Sequence, residues 1–216
     1  MNRPGILVTG GTGYIGSHTT VELIKAGYHV VIIDNLSNSN VAVLDGIEAI
    51  TGVRPDFVEA DCTDIKALRA LFEQYTDIKG IINFAASKAV GESVQKPLLY
   101  YRNNLNTLMN LLECMSEYKV DGIVFSSSCT VYGEPDENPV TENSPIKPAT
   151  SPYGNTKQIS EEIIEDVIHS GAPFKSVILR YFNPVGAHPS ALIGELPNGV
   201  PQNLIPYLTQ TAIGIR

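Results

Sequence analysis

The sequence has little charge, few basic residues, few cysteines and no long apolar run. Charged residues make up 18% of the chain, while 43% of it is apolar. An average globular chain carries roughly 25% charge, so enough apolar surface is present to offset the entropy of ordering, and intrinsic disorder is excluded. No apolar run approaches the roughly 20 residues of a membrane span; the longest, such as 30–33, are strand-sized. The net charge is −8, from 15 basic and 23 acidic residues. A general binder of nucleic-acid backbones relies on clustered Lys and Arg, so that class is excluded. One small anion held by backbone N–H groups remains compatible with this charge. Cys62, Cys114 and Cys129 are odd in number and lack a CxxC spacing, which argues against a disulfide framework or a zinc site. His18, His29, His169 and His188 are scattered without an HExxH pattern, and no metal is expected. No signal-peptide pattern precedes the first apolar run, and the expected location is the cytoplasm.

No repeat or low-complexity tract interrupts the chain. Short β-branched runs alternate with longer amphipathic stretches. Strands are predicted at 6–9, 30–34, 56–59, 80–84, 122–127 and 176–179, nearly continuous in apolar character, as suits strands buried on both faces of a parallel sheet. Helices are predicted at 15–26, 41–51, 65–74, 98–118 and 152–169. Leu98, Tyr101, Leu105, Leu108, Leu112 and Met115 keep the spacing of one helical face. The alternation implies βαβ units and a doubly wound α/β sheet. After Tyr181 the character changes: Pro184, Pro189, Pro197, Pro201 and Pro206 fall close together with several glycines. Residues 1–180 are therefore expected to form a dinucleotide-binding domain and 181–216 the start of a second, smaller domain. A last helix is expected at 202–213, weakened by Pro206. The chain then stops without a capping or turn signal, and the expectation is a truncated segment.

The stretch from Gly5 to Gly16 is the most informative. Gly10, Gly11, Gly13 and Gly16 follow a β run and open an amphipathic helix, the context in which glycine spacing points to a dinucleotide. Glycines let the turn take unusual φ values and let the backbone approach a pyrophosphate, and the helix start supplies free N–H groups. Asp34 closes the next strand. A carboxylate there accepts from both ribose hydroxyls and repels a 2′-phosphate, which favours NAD over NADP. Further on, Ser151 can cap a helix and Pro152 suits its first position. Tyr153 and Lys157 then share a face. A buried ammonium beside a phenol lowers the phenol's pKa from about 10, making Tyr153 an acid/base near neutral pH. Ser126, Ser127 and Ser128 end a strand whose C-terminal end faces the cofactor crevice. A hydroxyl there can donate to, or relay a proton from, a substrate oxygen.

Six blocks together resemble the extended short-chain dehydrogenase/reductase family, specifically its UDP-sugar 4-epimerase branch. They are TGGTGYIGSH (9–18), DNLSNS (34–39), KAVGESVQKP (88–97), FSSSCTVYG (125–133), SPYGNTK (151–157) and RYFNPVGAHP (180–189). The resemblance implies that Ser128, Tyr153 and Lys157 are catalytic. It implies NAD contacts at Gly10, Gly13, Tyr14, Ile15 and Gly16, then at Asp34, Asn35, Asn38 and Ser39, and at Asp61 and Cys62. It extends them to Phe84, Ala85, Ala86 and Lys88, and to Asn103, Ser126, Tyr153, Lys157 and Tyr181. Sugar-nucleotide contacts are implied at Lys88, Ser128, Tyr153, Asn183, Asn203 and Leu204.

The implied activity, in galactose metabolism, interconverts UDP-galactose and UDP-glucose through a transient 4-keto sugar with tightly bound NAD. It implies a homodimer joined through helices 98–118 and 152–169, with no nucleic-acid or membrane partner. Dehydratase relatives carry an Asp-Glu pair just after the catalytic hydroxyl, whereas Thr130 is followed here by Val131 and Tyr132. Cys129 reads as a small filler rather than a nucleophile. Two alternatives stay open: a non-catalytic NAD-binding fragment, and a related NAD-dependent UDP-sugar epimerase, decarboxylase or dehydratase.

Overall fold

The computed structural model describes residues 3–201 and 203–215. Its strands are β1 (Gly5–Thr9), β2 (His29–Asp34), β3 (Asp56–Glu59), β4 (Ile78–Asn83), β5 (Gly122–Ser128) and β6 (Lys175–Tyr181). Its helices are α1 (Tyr14–Lys25), α2 (Val43–Thr51), α3 (Ile65–Gln74), α4 (Val90–Gln95), α5 (Pro97–Tyr118), α6 (Pro152–His169) and α7 (Leu204–Ala212), with a 3-10 turn at Cys129–Tyr132. The strands form one parallel sheet in the order β3-β2-β1-β4-β5-β6. This is the doubly wound sheet that the alternation predicts. The order reverses between β1 and β4, so their chain continuations part and leave a crevice at the C-terminal edge.

Side-chain alternation along the strands divides the core in two. Leu7, Val31, Ile33, Ile81, Ile123 and Phe125 face α3, α5 and α6. Val8, Val30 and Ile32 face α1 and α2, where Val21, Ile24, Leu44 and Ile47 close over them. On β6, the edge strand, Ile178 packs into the first cluster, while Val177 and Leu179 point to the other side and are exposed.

Three expectations need correction. The buried face of α5 carries Tyr100, Asn104, Thr107, Leu108, Leu111, Leu112 and Met115 rather than the stripe begun by Leu98 and Tyr101. Leu98 is 67% exposed. Asn104 can be buried because its amide bonds the Ser87 carbonyl and the Thr156 hydroxyl, both at 3.0 Å. Helix α4 and the 3-10 turn were not expected, both being too short to show a period. Helix α7 occupies most of the stretch expected as a helix over 202–213; Gln202 lies outside the described residues. Pro206 does not break it, because it stands in the first turn, where a backbone N–H has no intrahelical acceptor.

Residues 182–201 form no helix or strand, yet they are seated on the sheet domain. Ile193 is buried in the α1/α2 core. A Cβ on Gly46 of α2 would stand 2.7 Å from the Leu192 carbonyl oxygen. The Tyr14 hydroxyl donates to the Gly186 carbonyl at 2.7 Å.

Candidate active site

The glycine turn lies at the crevice between β1 and β4. Gly10 has a φ of +67°, and its N–H donates to the Ile33 carbonyl at 2.9 Å. A Cβ on Gly16 would lie 2.3 Å from the Gly10 carbonyl oxygen, so α1 can start this close to the turn only with glycine there. Gly13 is the N-cap of α1 and no side chain caps it. The first-turn N–H groups of Tyr14 and Ile15 are therefore offered outward, with the positive end of the helix behind them. That cradle fits a dinucleotide pyrophosphate.

Asp34, at the end of β2, leans over the turn. It accepts from Leu36 N at 2.9 Å, Thr12 N at 3.3 Å and Ser39 Oγ at 3.3 Å. The Asn35 amide donates to Asp61 at 2.9 Å. Burial pushes the Asp61 carboxyl up, but bonds from the Thr63 hydroxyl and N–H and from Asn35 outweigh it, and its pKa is lowered. Burial, reinforced by Asp61 and Asp34, pushes the Cys62 thiol up to about 12, so this cysteine is a neutral wall rather than a reactive thiolate. Asn38 is exposed at the mouth.

At the end of β4, Phe84 N and Ala85 N donate to the Thr9 carbonyl and hydroxyl at 3.0 and 3.2 Å, while the Thr9 hydroxyl donates to Asn83 at 2.6 Å. These bonds join the two strand ends that line the crevice. Ala86 continues along its rim. The Asn103 amide donates to the Ser87 hydroxyl at 3.0 Å. The rings of Phe84 and Tyr181 stand 6.5 Å apart, bringing the ends of β4 and β6 together across β5.

The residues expected to handle protons come from β5 and α6. Ser151 caps α6 by accepting from Gly154 N at 3.1 Å, with Pro152 in the first turn, as expected. Tyr153 and Lys157 follow on one face. Lys157 is 5% exposed, and its Nζ donates to the Ser126 carbonyl at 2.6 Å beneath the ring of Phe125, 4.8 Å from the centroid. Burial lowers the Lys157 pKa to about 8, opposed by the charge of Glu161. Ser128 Oγ accepts from Thr130 N at 3.2 Å, and its hydroxyl acts on Tyr153 to favour the ionised phenol.

The expected lowering of the Tyr153 pKa is not what the chain produces. Burial raises it, with Cys129 adding to the rise, against the lowering influence of the Ser128 hydroxyl. Lys157 lies 5.8 Å from the tyrosine ring centroid and commits its proton to Ser126, so desolvation of the phenol wins.

The residues expected to hold a sugar nucleotide are spread along the mouth. Lys88 pairs with Glu195 at 4.0 Å, and Asn203 donates to the same Glu195 oxygen at 2.5 Å. Two of the expected contacts thus converge on one carboxylate. Asn183 and Leu204 are exposed. Sequence reasoning named Ser127 only as one of three strand-end hydroxyls and missed its link to the buried Glu161 and the partly buried Arg180, a network behind the site. The i+4 spacing of Glu161 from Lys157 was the one available signal. Among the described residues no cluster of three His, Cys, Asp or Glu side chains could hold a metal ion. No helix among them is long and apolar enough to cross a membrane.

A doubly wound sheet with a glycine cradle at its switch point and a Tyr–Lys pair over the next strand end defines the dinucleotide-binding class of proteins. More narrowly, residues 6–212 match the NAD dependent epimerase/dehydratase family, and the chain belongs to it. It is 53% identical over 211 residues to the UDP-glucose 4-epimerase of Dictyostelium discoideum, and 52% identical over 209 residues to that of Bacillus subtilis. These matches take in 98% and 97% of this chain but only 61% of each relative's length. The solved UDP-glucose 4-epimerase of Bifidobacterium longum, in complex with NAD+ and UDP, superposes with a TM-score of 0.94 at 46% identity, covering 97% of this chain and 62% of that one.

Proposed function

We propose that this chain forms the NAD-binding and proton-handling part of a UDP-glucose 4-epimerase. The observation that carries the proposal is the convergence of Tyr153, Lys157 and Ser128 beside the glycine cradle, at the C-terminal edge of the sheet. The likeness to UDP-glucose 4-epimerases supports the same reading. The first-turn N–H groups of α1 hold the pyrophosphate, and Asp34 accepts from ribose hydroxyls and selects NAD over NADP. NAD, when bound, supplies the hydride acceptor and donor at C4′ of the sugar. Tyr153 takes the proton of the 4′-hydroxyl and returns it to the 4-keto sugar. Ser128 holds that oxygen by a hydrogen bond, and Lys157 provides the cation that steadies the phenolate once it forms. Lys88, Asn183, Asn203 and Leu204 contribute to the grip on the nucleotide, whose binding energy leaves the sugar free to turn. Residues 1–180 act as the dinucleotide domain and 181–216 open the substrate domain.

The proposal includes a homodimer and a cytoplasmic location. Leu98 and Met109 of α5 are exposed, beside the partly buried Ile159 and Ile163 of α6, a pattern that suits a four-helix seam. Leu98→Asp is expected to yield monomers that retain NAD; light scattering that finds the unmodified protein monomeric across micromolar concentrations sinks the seam. Cys62, Cys114 and Cys129 are free thiols, which suits a reducing compartment.

The functional test measures the absorbance of bound dinucleotide in the full-length protein as UDP-glucose is added, together with conversion of UDP-galactose to UDP-glucose. Reduction of the bound dinucleotide and turnover are expected. In Tyr153→Phe, turnover should fall by about 10²–10⁴-fold, the range for losing a general acid/base, while NAD stays bound. Bound NAD without any response to UDP-sugars would instead support a binding module, and near-normal turnover in Tyr153→Phe removes Tyr153 from the mechanism.

A further inference from the structure

We propose that Glu161 is a positioning residue for the proton-handling centre, fixing the end of β5 against α6 so that Ser126 and Ser128 meet Lys157 and Tyr153. This role presupposes the epimerase reading above. Glu161 stands one helical turn beyond Lys157 and is 3% exposed. A carboxylate that deep is costly unless it is paired and hydrogen-bonded. Its partners come from two other elements. The Ser127 hydroxyl of β5 donates to its Oε1. Arg180 of β6 donates to Oε2 from Nη2 at 2.7 Å, and its Nε bridges both oxygens at 3.1 and 3.3 Å. Nη1 of Arg180 continues to the Tyr132 hydroxyl at 3.0 Å, with the guanidinium carbon 4.9 Å from that ring's centroid. The clamp therefore joins α6, β5, β6 and the 3-10 turn.

Ser127 is the middle residue of the strand end that matters. The Ser126 carbonyl before it holds Lys157, and the Ser128 hydroxyl after it caps the turn through Thr130 N and acts on the ionisation of Tyr153. Successive strand residues point to opposite faces. With Ser127 tied to Glu161 on the helix side, Ser128 is turned to the crevice. The bidentate, charge-assisted pair with Arg180 fixes the Glu161 carboxylate against β6 better than a single bond could, and the Ser127 hydroxyl ties the end of β5 to that fixed carboxylate. Being buried, Glu161 touches no substrate, and its effect passes through Ser127.

The test uses the full-length protein carrying its bound dinucleotide. Ser127→Ala removes the strut to β5 and leaves the Glu161–Arg180 pair intact, so the fold is kept. Its kcat for UDP-sugar interconversion should fall about 10- to 100-fold, the scale of a misplacement of about 1 Å, with KM changed by no more than about 2-fold. Glu161→Ala should lose more, and Glu161→Gln, which keeps oxygen and nitrogen atoms near both partners, should recover part of that loss. Hydrogen exchange of the cofactor-free protein gives a readout separate from activity: peptides covering 126–132 and 153–157 should lose protection while 5–34 keep theirs. Wild-type kcat per bound dinucleotide in both Ser127→Ala and Glu161→Gln would overturn the role. So would a uniform loss of protection with unchanged kcat per bound dinucleotide, which would make Glu161 a stability residue only. If the unmodified protein never reduces its dinucleotide with UDP-glucose, the functional reading fails instead, and unchanged protection at 126–132 in the variants would separately overturn the clamp.

Discussion

Replacing Lys157 by Met should separate what the site does from what holds the chain together. Burial brings the Lys157 ammonium from the ordinary 10.5 down to about 8, against the pull of Glu161. At about 1.4 kcal/mol per pH unit, the charged form is about 3 kcal/mol less stable in its seat than in water. Met is unbranched and fills similar space without that cost. The substitution also orphans the Ser126 carbonyl, which accepts from Nζ at 2.6 Å, at a cost of about 1–3 kcal/mol. The two effects nearly offset at neutral pH, so Lys157→Met should be as stable as the unmodified chain or up to about 2 kcal/mol more stable. The pH dependence is the sharper result. The folded pKa lies below the unfolded value, so between about pH 8 and 10.5 the unfolded chain binds more protons than the folded one. Stability of the unmodified chain therefore rises through that window relative to the variant. The advantage of Met is complete below about pH 8 and fades toward 10.5. Urea midpoints of both proteins, measured from about pH 7 to about pH 10, give the difference directly, because tyrosines and other shared groups cancel. Parallel curves across the window would refute the buried, destabilised cation. Turnover should fall in the same variant, as expected where a strained site is traded against stability.

Two other perturbations test the frame around the site. Asp34→Ala should weaken NAD binding by about 1.5–3 kcal/mol and narrow the preference over NADP; a fluorescence titration showing equal affinity for both dinucleotides in the unmodified chain would count against the role of Asp34. At the opposite end of the sheet, His29 bonds Asp77 at 2.6 Å and Asp56 at 2.7 Å. Burial pulls its pKa down, but the two carboxylates outweigh burial and leave it raised above 6.5. Its stabilisation is then complete below pH 6.5 and lost as pH rises through the folded value. His29→Asn should cost more stability in mildly acidic than in mildly alkaline buffer, and an equal loss in both, read from urea midpoints, contradicts the pairing.

The strands and the site's first residues were legible in the sequence because their signals are local. β-branched runs mark strands buried on both faces, Ser151 and Pro152 announce a helix start, and glycines followed by a helix announce the cradle. The buried face of α5 was misread because two apolar rows run side by side. Only tertiary hydrogen bonds make the polar Asn104 part of the inner row. Helix α4 was missed because six residues hold less than two turns. The direction of the Tyr153 pKa depends on desolvation against a charge whose distance no spacing gives. The Glu161–Arg180 pair joins residues 19 apart in sequence, on different elements, with no local pattern to announce it. The convergence of Lys88 and Asn203 on Glu195 likewise needed the folded loop.

The edge strand β6 has a consequence for how the chain behaves in solution. Its outer backbone faces no further strand among those described, and Val177 and Leu179 stand exposed beside it, at 53% and 39%. Exposed, apolar strand edges are templates for pairing with other chains, and natural proteins guard them with charge. The guard here is thin. Of the strand's two cations, Arg180 is turned inward to Glu161, leaving Lys175 at its start. Where no further strand covers that edge, concentrated solutions should therefore turn turbid through edge-to-edge growth. A Val177→Lys change, far from the crevice, should clear them without altering dinucleotide binding, and turbidity unchanged by that lysine would place the sticky surface elsewhere.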